Sequence, residues 1–379
     1  MCSTTKKSEW HTLNYGEILK FQVFDKYLGA GIVKFEETKK KHKLWEKQIM
    51  LRKTGVIFAF AAVLSLSTLV PAIAKDVKIG VVVKIGGIPW FNAMEAGIKA
   101  RSAELGDDAV MIGPTSADPA LQVRAIEDLI AKGVNVIGVV PNDATVLEPV
   151  LKKARDAGII VITHESPNQK NANWDFEMAS AKGYGEAHAK LLADKMGGKG
   201  KYVVYVGSLT VPLHNLWADF AIAYLKKNNP DMKMVGDRYG VAESADDSRK
   251  TALDVLAANP DLGGFLTFGS QGPIGAGRAV DEKHLSDKVS VVGSFSPGQG
   301  SALLKSGAID GGYMWNPMEA GKVFVTIADY LKGGGKITDG MTIEGLGVVH
   351  PDFTGNNIIV DALQPITVET VDGLAKMGL

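Results

Sequence analysis

The sequence has a single cysteine in 379 residues, Cys2. An internal disulfide is excluded, and so is a zinc site built from cysteine. Excess charge is also lacking, since 42 Lys/Arg balance 42 Asp/Glu. The balance conceals an uneven distribution. Residues 1–74 hold 12 of the basic and 6 of the acidic residues, which leaves 30 and 36 beyond them, a net of −6. That remainder lacks the basic surplus a phosphate-binding face needs, which argues against nucleic acid as the main partner. Catalytic signatures are missing too. There is no G-x-S-x-G elbow, no H-E-x-x-H and no Walker-type loop. Histidines are few, and His164 and His214 stand without a third ligand at metal spacing, so no metal is expected.

One long apolar run is present, Gly55 to Val70. Arg52 and Lys53 precede it and Pro71-Ala72-Ile73-Ala74 ends it. A basic start, an apolar middle and a small-x-small ending predict a secretory signal peptide, here residues 50–74. Cleavage after Ala74 would leave Lys75 as the first of 305 residues. No cysteine follows the run, so a lipid anchor is not expected. Residues 1–49 are lysine-rich without a fold pattern, which suggests an over-extended start with Met50 as the true beginning. The chain is expected to be exported to the periplasm as a monomer.

The remainder is organised around Lys78 to Gly97, KIGVVVKIGGIPWFNAMEAG. Ile79 to Val83 is a short apolar run rich in β-branched residues, the pattern of a strand buried on both faces. Gly86, Gly87 and Pro89 turn the chain, and a helix is expected from Asn92. Ala109 to Ile112, Val134 to Val140, Ile159 to Thr163 and Asn173 to Met178 continue the strands, with helices between them. After Gly197-Gly198-Lys199-Gly200 the alternation repeats. Its strands are Lys201 to Val206, Met232 to Arg238, Gly264 to Phe268, Val289 to Val292 and Ala308 to Met314. A helix over Glu319 to Leu331 and a strand at Asn357 to Val360 follow. Strict alternation with short connections predicts an α/β fold of two Rossmann-like lobes with parallel, doubly wound sheets. Ligands of such sheets bind beyond the carboxyl ends of the strands.

KIGVVVKIGGIPWFNAMEAG, the strand ending in PND, the ITHES corner, FGSQG, VVGSFSPG and YMWNPMEAG resemble the type I periplasmic sugar-binding proteins of ABC importers. The resemblance covers the chain from Lys75 onward. The lysine ending the first strand and the arrangement WNPMEAGK are most similar to the autoinducer-2, rhamnose and ribose-binding branch. The resemblance implies a three-crossover hinge, with crossovers near Ser180, Asp310 and Gly340. The first lobe would then hold 75–179 and 311–340, and the second 180–310 and 341–379. It implies no cofactor. Its implied partners are a small sugar, deoxysugar or polyol and the importer's permease subunits, with a chemoreceptor or sensor kinase as a further partner.

The resemblance also implies a ligand site at Lys84, Trp90, Phe91, Asn142, His164, Glu165, His214, Ser270, Gln271, Ser296 and Asn316. Trp90 and Phe91 take the place of aromatics that sandwich a sugar, whose C–H face packs on a ring. Lys84 ends an apolar strand, where a buried lysine needs a partner such as Glu165. Glu165 would accept sugar hydroxyls through charged hydrogen bonds. The second lobe departs from the autoinducer-2 pattern. Leu213-His214 replaces an Asp-Gln pair, Phe268 and Ser270 replace proline and alanine, and Ser296 stands where many sugar binders carry aspartate. These departures favour a sugar, deoxysugar or polyol over autoinducer-2. Two residues are read as structural: Trp217 as core within an amphipathic helix, and Asp143 as a helix cap.

Two other functions fit the sequence less well, and a third, a sensor subunit that presents its liganded form to a receptor, stands as an alternative. A secreted hydrolase would need paired catalytic carboxylates or a Ser-His-Asp set. A repressor with the same two-lobe core would need a DNA-binding helix-turn-helix where the signal peptide stands. A periplasmic sensor subunit would share the fold.

Overall fold

The computed structural model describes residues 77–379. The expected signal peptide and the lysine-rich stretch before it lie outside these residues. The first lobe opens with β1 (Lys78–Val82), α1 (Pro89–Leu105), β2 (Asp108–Ile112), α2 (Pro119–Ala131), β3 (Val136–Val139), α3 (Ala144–Asp156), β4 (Ile160–His164) and β5 (Trp174–Glu177). The second lobe contains α4 (Ala181–Met196), β6 (Lys199–Val206), α5 (Pro212–Asn228), β7 (Asp231–Met234), β8 (Tyr239–Gly240), α6 (Ala245–Ala258), β9 (Leu262–Thr267), α7 (Gly272–Glu282), β10 (Ser290–Gly293) and α8 (Pro297–Lys305). The chain then runs through β11 (Gly312–Met314), α9 (Pro317–Lys332), β12 (Thr342–Ile343), β13 (Gly347–Val348), β14 (Asn357–Ile359), β15 (Gln364–Ile366) and α10 (Val371–Lys376).

Both main sheets are parallel, as the alternation predicts. The first has the order β14-β5-β4-β3-β1-β2. The second has the order β10-β9-β6-β7, with β8 also paired to β6. The uninterrupted apolar run of β1 follows from its central place. Val81 and Val82 are fully buried on opposite faces, Val81 in the core that includes Ile162 and Phe324, Val82 in the core of Ile126, Leu129 and Leu147. Each such side chain contributes roughly 1.5–3 kcal/mol on burial.

Helix starts lie earlier than their apolar periodicity suggests. α1, α5, α8 and α9 begin at Pro89, Pro212, Pro297 and Pro317, because proline suits the first turn, where no N–H is needed. Trp90, Phe91 and His214 are therefore first-turn residues of helices rather than loop residues.

The return to the first lobe depends on two glycines. α9 packs against α1, where Gly97 and Gly321 let the backbones meet. A Cβ on Gly97 would lie 1.9 Å from Met318 O, and one on Gly321 would lie 2.1 Å from Met94 O. The end of the chain corrects the expectation for 341–379. β14 pairs with β5 in the first sheet, and Val360 N and Ala362 N still donate to Glu177 O and Met178 O. The third crossover therefore follows Ala362, not Gly340. β15 then pairs antiparallel with β11. The reason is an open sheet edge: β5 offers an unpaired ladder that the apolar Asn357-Ile358-Ile359 fills. The expected strand from Ala308 shortens to Gly312–Met314 beside the crossover.

Candidate functional site

The carboxyl ends of both sheets face one another across a small cavity of about 20 Å³. Lys84 follows β1 and Glu165 follows β4. Trp90 and Phe91 come from the start of α1 and Trp315 from the chain after β11. The second lobe supplies Tyr184 from α4, His214 and Trp217 from α5, Glu243 from the residue before the Ser244 cap of α6, and Gly269, Ser270 and Ser294 after β9 and β10.

An ionic cluster lies at the cavity and crosses between the lobes. Lys84 Nζ is 2.7 Å from Glu165 Oε2 and 3.0 Å from Glu243 Oε1. It also lies 2.7 Å from His214 Nε2. All four side chains are buried, Lys84 at 2 % exposure and Glu243 at 6 %. Burial opposes charge on Lys84, but Glu165 and Glu243 outweigh it and hold the lysine pKa above its ordinary value. Burial likewise pushes Glu165 up, and Lys84 and His214 overcome it, so its carboxylate lies well below the usual range. His214 Nδ1 accepts the Gly207 N–H at 3.0 Å. His214 Nε2 lies 3.4 Å from Glu165 Oε2, so this carboxylate oxygen is close to both the lysine and the imidazole.

Glu165 has φ 63°, in the left-handed region, although it is neither glycine nor exposed. Such a backbone costs on the order of 1–3 kcal/mol and persists only where the surroundings enforce it. Here it follows a strand whose last residue, His164, faces the opposite way.

The rings form a connected wall. Trp90 meets Trp315 edge-on at 5.5 Å, Trp315 lies 5.4 Å from Trp217, and Tyr184 lies 4.3 Å from Trp217. His214 stacks on Trp217 at 5.0 Å, and Lys84 Nζ lies 5.8 Å from the Phe91 ring centre. The indole N–H groups of Trp217 and Trp315 are buried without a hydrogen-bond partner among the described residues.

The structure brings Lys84, Trp90, Phe91, Glu165, His214 and Ser270 together around this cavity. Five other expected residues lie outside the lining, each for a local reason. Asn142 donates through Nδ2 to Lys84 O at 2.8 Å and holds the lysine's backbone. His164 stacks on Phe176 at 4.5 Å and its Nδ1 meets Phe176 O at 2.7 Å. Burial lowers its pKa, so it is a neutral core imidazole. Gln271 and Gln299 bond each other reciprocally at 3.1 and 3.0 Å. Ser296 is the N-cap position of α8. Asn316 caps α9, its Oδ1 accepting from the N–H groups of Met318 and Glu319. Asp143 caps α3 by accepting from Thr145 and Val146.

Trp217, read as core, lines the cavity as well, because it lies three residues after His214 on the same helix face. Glu243, Tyr184 and Ser294 were not foreseen. Glu243 sits in VAESADD, where Ser244 draws attention as a helix cap; a carboxylate between a strand end and a cap was the available signal.

The chain belongs to the family described as periplasmic binding protein domain, which matches residues 79–336. It is 27% identical over 270 residues to the D-ribose/D-allose-binding protein of Pseudomonas aeruginosa, covering 67% of this chain and 82% of that protein. In fold it is similar to an ABC transporter solute-binding protein from Clostridium phytofermentas with bound L-rhamnose. That likeness has a TM-score of 0.75 and 23% identity, covering 80% of this chain and 99% of the other. It is also similar to LsrB from Clostridium saccharobutylicum in complex with AI-2, with a TM-score of 0.73 and 20% identity, covering 78% and 99%.

Proposed function

We propose that this chain is a periplasmic solute-binding protein that captures a small sugar, deoxysugar or polyol by lobe closure and delivers it to an ABC importer's permease. The observation that carries this reading is the cavity itself. Aromatic faces suit the C–H face of a sugar, while Lys84, Glu165, Glu243 and Ser270 offer donors and acceptors for hydroxyls. Glu165 and Lys84 come from one lobe and His214 and Glu243 from the other. A ligand touching both sets would favour the closed arrangement through its own contacts.

A thermal-shift screen of the purified protein tests it, using pentoses, hexoses, deoxysugars and polyols. A ligand bound by the native state alone at about 100 times its Kd adds roughly 2.7 kcal/mol of stability and raises the melting temperature. A panel without any stabilising member would overturn the reading. Autoinducer-2 belongs in the same screen, because LsrB from Clostridium saccharobutylicum, similar in fold, is in complex with AI-2.

A further inference from the structure

The charges around the cavity do not balance. Lys84 is the only permanent cation among the described residues that line it, and it lies between two carboxylates, Glu165 at 2.7 Å and Glu243 at 3.0 Å. One lysine against two carboxylates gives a formal balance of −1 in a site walled by aromatic rings. A buried charge without its counter-ion is costly, and hydroxyls satisfy a carboxylate's lone pairs without cancelling its charge. The walls are also suited to a cation. Ring faces attract positive charge, as Phe91 already does for Lys84 Nζ.

The indole N–H groups of Trp217 and Trp315 set a second requirement. Both are buried donors without a partner among the described residues, so the ligand must also bring oxygen acceptors. A plain alkylammonium ion has none.

We infer that the ligand of this cavity carries a basic nitrogen among its hydroxyls, as an amino sugar or amino polyol does, and that Glu243 is the residue that reads the positive charge. This rests on the sugar-binding reading of the same cavity and narrows it. Glu165 Oε2 lies 2.7 Å from Lys84 Nζ and 3.4 Å from His214 Nε2, whereas Glu243 has the single Lys84 contact and a longer approach of 4.0 Å to His214 Nδ1. Glu243 is therefore the carboxylate with capacity for a second cation.

The test is calorimetry on the purified protein at pH 6.5, with matched pairs that differ by one hydroxyl exchanged for an amine. D-Glucosamine against D-glucose, D-galactosamine against D-galactose and 1-amino-1-deoxy-D-sorbitol against D-sorbitol are three such pairs. For at least one pair, the amine should bind about tenfold or more tightly than its neutral twin, the worth of one desolvated charge contact. In Glu243→Gln that ratio should fall toward one. A second measurement does not depend on the variant folding: in the wild type, the amine's affinity should fall as pH rises past the amine's own pKa, while any affinity for the neutral twin should not follow that titration. Tighter binding of the neutral twin in every pair, or a ratio unchanged in Glu243→Gln, overturns this inference and leaves the sugar-binding reading standing. Binding by no member of either series, in these pairs and in the broader neutral screen, overturns both.

Discussion

Lys84 of the first lobe lies 3.0 Å from Glu243 of the second, although 159 positions separate them and neither residue is adjacent to the hinge. The contact makes one buried ammonium a shared element of both lobes, because the same Nζ also holds Glu165. Lys84→Met should remove the only cation from two buried carboxylates. Breaking a buried pair in this way costs ~3–5 kcal/mol. Denaturant unfolding should show that loss, and the added change Glu243→Gln should restore part of it. A Lys84→Met protein as stable as wild type would mean that the cluster is not an ionic unit.

Glu165 and Asp143 should separate binding from stability. Asp143 accepts two backbone N–H groups at the start of α3 and has no part in the cavity. Asp143→Ala should lower stability by about 1 kcal/mol with ligand affinity intact. Glu165→Gln keeps the side chain's shape but loses the charge beside Lys84, so affinity should fall about ten- to a hundredfold. Isothermal calorimetry and thermal melts on both variants decide it. Equal affinity in Glu165→Gln and wild type would place the site elsewhere.

Three chain crossings lie between the lobes, after β5, around β11 and between β14 and β15. Short crossings of this kind suit a hinge that lets two rigid lobes approach as bodies. Small-angle X-ray scattering should give a smaller radius of gyration when a stabilising ligand saturates the protein. A profile unchanged by saturation would count against closure.

Behind Glu165, Asp175 and Glu177 share one face of β5 and are both buried. Burial raises both pKa values, that of Asp175 to about 7, and the two groups reinforce each other's preference for a shared proton. The surrounding groups supply little counter-charge. Thr163 donates its hydroxyl to Asp175, Glu165 adds repulsion, and His164, 3.6 Å from Glu177, is held neutral by burial. A carboxyl with a raised folded pKa binds its proton more tightly when folded. Its contribution should weaken as pH rises from the ordinary carboxylate range near 4 through about 7. Melting temperatures from pH 5 to 8 should therefore decline in the wild type more steeply than in Asp175→Asn. Parallel profiles would show that the pair does not titrate in this range.

Much of the fold was legible because local pattern and tertiary place coincide in a parallel sheet. A strand buried on both faces must be apolar throughout, so Ile79 to Val83 shows its central position directly. Lys84 and Glu165 could be placed at strand ends for the same reason, since a charged residue that closes an apolar strand marks the sheet's carboxyl edge. Local pattern also separates Asp143 from the site, because an aspartate before a helical run has a backbone use of its own.

What the sequence determined by itself is the alternation of strands and helices, the two-lobe plan and the edge of the sheet on which charge and aromatics collect. Only the tertiary structure decided which of those residues meet. Glu243 and His214 join Lys84 because two lobes face each other, and no short-range spacing encodes that approach. The last strand joined the first sheet rather than the second for a related reason. Ile358 and Ile359 have the same apolar character wherever the strand pairs, and its place is set by the free edge of β5, 182 residues earlier in the chain. Periodicity records which face of an element is buried; it carries no information about which distant element buries it.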